Sequence, residues 1–205
     1  MAYEWNDGER AIQERFDTTR LADRVSQLTR DFIDDNDRAF IEARDMFFIA
    51  TVDDRGNADC GYKGGDPGFV RVVDRHTLAY PSYDGNGQYM GPGNILTNGK
   101  VGLLFIDFER ARRMRVNGRA TIDFDDPLIA EFPEAQFVVR VHAEEVFPNC
   151  PRYIHKMELV ERSQFVPRSG CETPEPDWKG HFEDALPAAE RERRAAKRTQ
   201  GHDRA

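Results

Sequence analysis

The sequence predicts a mainly β domain with flanking helices, its short antiparallel strands closing into a barrel or a sandwich. Three observations predict it. A succession of short apolar or alternating runs lies between residues 46 and 147. Turn-forming clusters of Gly, Asp and Asn separate these runs. The first 45 residues instead carry apolar side chains at helical spacing. A chain of 205 residues suits one domain with appendages and is long enough to bury a core without disulfides or structural metal.

In the first segment, 1–45, Leu21, Val25, Leu28 and Phe32 recur on one helical stripe, which predicts an amphipathic helix lying on a core. Asp17, Thr18 or Thr19 is its expected N-cap, and Asp35 or Asn36 that of a second helix carrying Phe40 and Ile41. From Met46 the period changes to that of strands. The run MFFIATVD reads as a buried strand ending in the turn Asp53-Asp54-Arg55-Gly56-Asn57, followed by ADCGYK, GFVRVV, TLAYP, VGLLFIDF, RRMRVNGRATIDF and AQFVVRVHAEEVF. These six or seven strands define the second segment, 46–186. The third, 187–205, has no bulky apolar side chain and reads as a frayed helix or a disordered tail whose removal leaves the domain intact.

Composition removes several classes of function. With 29 Lys plus Arg against 37 Asp plus Glu, the formal net charge is −8, a poor match to nucleic acid. The longest nearly uninterrupted apolar run, Met46 to Val52, is too short to span a membrane. The start MAYEWNDGER has acids and no apolar core, so it does not read as a signal peptide. Cys60, Cys150 and Cys171 are an odd number without metal-site spacing, which argues against disulfides and a thiolate zinc site. The expected setting is the cytoplasm, with reduced thiols and no bound metal. No nucleophile elbow, P-loop or HExxH motif is present, and the five histidines lack ligand spacing.

Three features have residue types suited to binding. Tyr62-Lys63-Gly64-Gly65-Asp66-Pro67-Gly68 and the stretch from Tyr80 to Asn94 are rich in glycine, which lets backbone N–H groups approach a ligand. Lys63, Asn86 and Asn94 would add donors for a phosphate. Ordinary hairpin turns explain the glycines equally well. Third, Arg110, Arg112, Arg113, Arg115 and Arg119 cluster inside an acidic chain. Strand alternation puts Arg113, Arg115 and Asn117 on one face, either as an anion or polar-ring site or as a solvated face paired with nearby acids.

The order FFIATVDDRGNADCGYKGGDPGFVRV, LAYPSYDGNG, GNILTNGKVGLLFIDF and RRMRVNGRA resembles the pyridoxamine 5'-phosphate oxidase-like, FMN-binding split-barrel family, most specifically in its Arg-Val-x-Gly strand. The likeness is nearer to an FMN-dependent branch than to the vitamin B6 enzyme itself. It implies a six-stranded Greek-key split barrel that dimerises with FMN at the subunit interface. Asp59, Cys60, Gly61, Tyr62 and Lys63 would run along the isoalloxazine and ribityl chain. Tyr80 and Pro81 would flank the flavin, and Gly85, Asn86 and Gly87 stand where the family has a phosphate turn. Arg113 falls where the oxidase has a Gln facing the ring. The turn lacks the family's cations, so Lys63 or an arginine of 110–115 would have to meet the phosphate.

What the resemblance implies is an FMN-dependent oxidoreductase acting on a small molecule, with Arg113 or Arg115 favouring negative charge on the reduced ring. The alternatives are a non-catalytic flavin or haem carrier, a stress sensor, and a structural dimer; the fold also hosts deazaflavins. Phe105, Ile106, Val138 and Val139 are expected to supply an apolar dimer face. The segment PNCPRYIHKMELVERSQFVPRSG offers Arg152 and Tyr153 but not the oxidase's substrate-phosphate set, so an authentic pyridoxamine 5'-phosphate oxidase is not expected.

Overall fold

The computed structural model describes residues 3–202, with side chains through residue 197. Two compact units divide the chain at Arg162 and Ser163. In the first, three helices precede the sheet: α1 (Asp7–Arg15), α2 (Thr19–Ser26) and α3 (Asp35–Glu42). Asn6 and Glu9 form a capping box on α1, and Asp34 and Asp37 form one on α3. The α3 cap is thus Asp34, one residue before the expected Asp35. Thr18 stands at the start of α2 but its side chain makes no capping bond.

Helix α3 sends Phe40 and Ile41 into the core as the sequence requires. The α2 stripe behaves differently. Leu21 is 63% exposed, and Val25 and Leu28 are exposed with it, so the predicted packing of this stripe on the core does not form. Backbone pairing with the sheet begins at Arg30 among the described residues. There the Arg30 N–H donates to Val146 O at 3.0 Å and the Ile33 N–H to Arg75 O at 2.7 Å. Phe32 lies under the Arg75 guanidinium, 4.4 Å from its ring centroid.

The sheet contains β1 (Met46–Val52), β2 (Ala58–Gly64), β3 (Arg71–Asp74), β4 (Thr77–Ser82), β5 (Lys100–Asp107), β6 (Arg112–Asp123) and β7 (Phe137–Pro148), with helix α4 (Met90–Thr97) between β4 and β5. All pairings are antiparallel, in the order β2-β1-β5-β6-β7-β4-β3. Seven strands form, not the six that the resemblance implied.

The core lies on the inner face of this curved sheet, where Phe47, Ile49, Leu78, Tyr80, Leu103, Phe105, Val116, Val139 and Val141 meet. Burial alternates along β5 and β6, so Val101, Leu103 and Phe105 point inward and Gly102, Leu104 and Ile106 outward. Phe105, Val138 and Val139 are fully buried, so they do not supply the expected exposed dimer face; Ile106 alone of that set stays partly open. Val138 is covered from outside by Phe132, Leu128 and Ile129, around the 3-10 turn Pro127–Glu131.

The Arg-Val-x-Gly element has a steric cause. Register shifts between Asn117 and Gly118, and a Cβ on Gly118 would come within 2.0 Å of His142 O. Only glycine lets β6 and β7 close at this bulge.

The second unit, Ser163–Ala205, carries a 3-10 segment (Asp177–Ala185) and helix α5 (Ala188–His202). The stretch read from sequence as a frayed helix or a disordered tail is therefore helical over most of its length, while its last residues, 203–205, lie outside the described residues. The Lys179 ammonium donates to both Glu190 carboxylate oxygens, at 3.0 and 3.2 Å, with both residues buried. That internal ion pair stands in for the apolar contacts the composition lacks.

Candidate functional site

Strand β2 is an edge strand, and its alternation sorts its residues between two faces. Asp59, Gly61 and Lys63 face inward, with Asp59 opposite Thr51 and Gly61 opposite Ile49 of β1. A cleft of about 50 Å³ opens there, closed by Tyr80 and Ser82 of β4 and by Gly91 and Pro92 in the first turn of α4.

Thr51 is matched by Asn94, but the other polar side chains of this cleft are not. Tyr80 is 1% and Ser82 6% exposed as whole residues, and among the described residues neither hydroxyl has a hydrogen-bond partner, so each opens onto the cleft. A hydroxyl in a cleft wall is answered by water or by a ligand. Burial holds the Tyr80 phenol well above its ordinary value, so it stays a protonated donor. Lys63 is half-buried with no carboxylate at ion-pair distance among the described residues. Burial pulls its ammonium below the ordinary 10.5, opposed by the charge of Asp59.

Helix α4 adds backbone donors. Its N-cap, Tyr89, is left-handed (φ 48°) and supplies no side-chain cap. The Gly93 N–H donates to Tyr89 O at 2.7 Å, and Pro92 has no N–H. Among the described residues the N–H groups of Met90 and Gly91 have no acceptor, at the positive end of the helix. Asn94 Nδ2 donates to Thr51 Oγ1 at 3.0 Å, fixing the helix over the strand.

The outer face carries a second, wider cleft of about 280 Å³, lined by Phe48, Ala50, Cys60, Leu104, Arg115 and Asn117 among others. Tyr62 shares this face, 61% exposed, with its ring centroid 6.0 Å from that of Phe48. Arg113 lies two residues from Arg115 on the same face, and its Nε is buried without a partner. Asn117 donates to Glu145 Oε2 at 2.8 Å.

The residues singled out in the sequence thus divide into groups. Asp59, Gly61, Lys63 and Tyr80 line the inner cleft, and Asn94 touches it through Thr51. Cys60, Tyr62, Arg113 and Arg115 belong to the outer face. Pro81 is buried on the side away from the inner cleft, in step with Ala79, which packs with Phe132 and Val138. Gly85, Asn86 and Gly87 sit in the exposed loop before α4 and line neither cleft; Asn86 Oδ1 accepts from the Gln88 N–H at 3.0 Å. Thr51, Ser82 and Gly91 went unnoticed in the sequence. Strand parity could have found two of them, since Thr51 follows Ile49 and Ser82 follows Tyr80 on the same faces. Among the described residues no cluster of three or more His, Cys, Asp or Glu could hold a metal ion. No helix there is long and apolar enough to cross a membrane.

Comparison with known proteins follows the same lines. Residues 33–161, more than half of the chain, match the family model described as pyridoxamine 5'-phosphate oxidase. No curated protein sequence matches. Among solved structures, a putative pyridoxamine 5'-phosphate oxidase from Lactobacillus delbrueckii is 26% identical, with 58% of this chain and 95% of that one covered and a TM-score of 0.47. HupZ from Group A Streptococcus is 26% identical over 57% of this chain and 93% of its own, with a TM-score of 0.46. An FMN-binding protein from Syntrophomonas wolfei is 11% identical over 69% of this chain and 96% of its own, with a TM-score of 0.43.

Proposed function

The chain belongs to the pyridoxamine 5'-phosphate oxidase family, and on that premise we propose that it is a cytoplasmic FMN-binding oxidoreductase of a small molecule, working as a homodimer with FMN at the subunit interface. The observation that carries this reading is the inner cleft. Among the described residues, a half-buried Lys63 with no carboxylate at ion-pair distance shares this cleft with the Tyr80 and Ser82 hydroxyls, which have no hydrogen-bond partner, beside the first turn of α4. Such a set of donors fits a phosphate group. In this reading Lys63, Tyr80 and Ser82 bind the FMN phosphate, and Asn94 holds α4 in place through Thr51.

The cleft is far smaller than the roughly 300 Å³ at which small-molecule pockets begin, so the ring lies outside it, against strand surface that the second subunit covers. Tyr62 and Arg115 are the exposed aromatic and cationic side chains available there, with the half-buried Arg113 on the same face. Bound FMN supplies hydride or electron transfer at its ring, and the protein supplies orientation and charge.

Titration with FMN, followed by fluorescence quenching, tests the binding. Saturation below tens of micromolar, about −6 to −7 kcal/mol, is expected, and its absence overturns the reading. Reduction of the bound flavin by NAD(P)H, and reoxidation by an acceptor, separates an enzyme from a carrier.

A further inference from the structure

The outer cleft differs in character from the inner one. Phe48 and Ala50 of β1 and Leu104 of β5 make it apolar, Arg115 of β6 is its one cation, and no acid lines it. Its volume of about 280 Å³ approaches the roughly 300 Å³ at which small-molecule pockets begin. Arg115 is unmatched. On the same strand Arg119 meets Glu144 at 3.2 Å, and elsewhere Arg44 meets Asp107 at 3.1 Å. Arg115 and its neighbour Arg113 meet no carboxylate at ion-pair distance among the described residues, and Arg113 Nε is buried without a hydrogen-bond partner. The Phe147 ring, its centroid 6.0 Å from the Arg115 guanidinium, packs that cation without neutralising it. In a chain with 37 acids against 29 bases, two guanidiniums left side by side without an acid repel each other until an outside anion joins them.

The surroundings restrict the kind of anion. A guanidinium fork matches a planar carboxylate through two parallel hydrogen bonds. Asn117, also in the lining, donates to Glu145 Oε2 at 2.8 Å. A protein carboxylate therefore stands just beyond the cleft and repels a second negative charge on the ligand. The rest of the lining offers apolar contact, so the body of the ligand is apolar.

We propose that the outer cleft binds a small monocarboxylate with an apolar body, the carboxylate on Arg115 and the body on Phe48 and Leu104. Its purpose rests on the flavin reading above, in which this acid is the substrate of the oxidoreductase. Its binding does not, since every group named belongs to the protein.

Benzoate is the probe, with benzamide as its neutral isostere and acetate as an acid without an apolar body. Calorimetric titration of the full chain is expected to show benzoate bound, and benzamide and acetate weaker by roughly tenfold or more. Arg115→Gln is expected to weaken benzoate by roughly 10- to 100-fold and to leave benzamide unchanged. Cys60 lines the cleft and is exposed, so saturating benzoate is expected to slow its alkylation by iodoacetamide. The exposed Cys171 of the second unit is the control and is expected to react as before. Benzoate that fails to bind, binds no better than benzamide, binds Arg115→Gln as well as wild type, or leaves Cys60 alkylation unchanged overturns the proposal. FMN titration of the same preparation separates the two readings. Benzoate bound as expected with no FMN binding overturns the flavin reading and leaves the acid site standing. FMN bound with no benzoate overturns the acid site alone. Direct competition between FMN and benzoate gives the cleft to the flavin ring and overturns the acid as substrate.

Discussion

Asn94 on α4 donates its side-chain N–H to Thr51 Oγ1 on β1 at 3.0 Å, joining the helix that roofs the inner cleft to the strand that floors it. Thr51 is 4% exposed, so this bond forms away from bulk water. It sets where the first turn of α4 stands over Asp59 and Lys63.

Asn94→Ala removes that tie. A single neutral hydrogen bond contributes about 0.5–1.5 kcal/mol, so denaturant unfolding is expected to show a loss of that size. FMN affinity is expected to fall by roughly 3- to 10-fold, because part of the same free energy is used to hold the cleft. Urea melts and flavin titration on one preparation measure both quantities. Unchanged affinity with reduced stability would separate the helix from the ligand.

Lys63→Ala is expected to weaken FMN by roughly 10- to 100-fold, the worth of about 1.5–3 kcal/mol for a charge-assisted bond. It is expected to weaken inorganic phosphate too. Arg113→Ala, on the outer face, is expected to weaken FMN but leave phosphate protection unchanged. The pH dependence has a definite sign. Burial depresses the Lys63 pKa below 10.5, so the free protein gains stability as pH rises from the folded value toward 10.5. Phosphate binding needs the ammonium, so FMN affinity falls over that same interval, and Lys63→Ala flattens the fall. Titration at a series of alkaline pH values tests this.

An ion pair ties β7 to the start of the 3-10 turn Pro127–Glu131. Arg140 meets both carboxylate oxygens of Asp126, from Nε at 2.5 Å and Nη2 at 3.0 Å, and the Asp126 side chain is 0% exposed. Arg140→Ala leaves that carboxylate buried without its cation and is expected to cost on the order of 3 kcal/mol, the low end for a buried pair because Arg140 keeps part of its guanidinium in water. The hydrogen bonds from Arg140 hold the Asp126 carboxyl below the ordinary 3.8. The stabilisation is therefore full above 3.8 and fades as pH falls through the folded value. Unfolding curves of wild type and variant are expected to converge in acid.

Much of this fold was legible because two periods are easy to tell apart. Alternation along 101–107 and 112–118 marks β5 and β6, and the helical pair Phe40 and Ile41 marks α3. The site was harder to read because adjacent residues of a strand face opposite ways. The stretch 59–63 looks like one motif, yet Cys60 and Tyr62 share no cleft with Asp59 and Lys63. Thr51 and Ser82 carry no signal by type alone; only their burial without partners marks Ser82, and only the bond from Asn94 marks Thr51. Burial of Val138 depends on the distant 3-10 turn Pro127–Glu131, which its own strand pattern does not show. The α2 stripe misled for the converse reason, since amphipathicity says that a face seeks cover, not what covers it.

The outer sheet face is expected to be the dimer surface. Tyr62, Phe48, Leu104 and Ile106 present apolar area around the 280 Å³ cleft, and a monomer would leave it wet. Light scattering is expected to give twice 23.5 kDa. Leu104→Glu puts a charge at the centre of this surface and is expected to give monomers with native secondary structure. On the proposal that the ring is held between subunits, its flavin affinity is expected to fall together with dimer content. A Leu104→Glu dimer would move the interface elsewhere, with the exposed Ile12, Leu21 and Val25 as the next apolar surface.

Membership of the family does not make this chain an oxidase of pyridoxine 5'-phosphate. That reaction needs a second phosphate held beside the flavin, with cations of its own. The inner cleft offers one cation, Lys63. Residues 149–161, the other place where cations were expected, contain no helix or strand, and Arg152 and Tyr153 stand exposed, Tyr153 at 84%. Exposed side chains on an irregular segment bind a phosphate weakly, because water competes and ordering the segment costs entropy. Each missing charge-assisted bond forfeits about 1.5–3 kcal/mol. An oxygen-electrode assay of the FMN-loaded protein with pyridoxine and pyridoxamine 5'-phosphates is expected to give kcat/KM far below about 10⁴ M⁻¹s⁻¹, the low end for ordinary enzymes. A value at or above that level would require a second phosphate site on the segment 149–161 or on the partner subunit, and Arg152→Ala would then abolish turnover while leaving FMN in place.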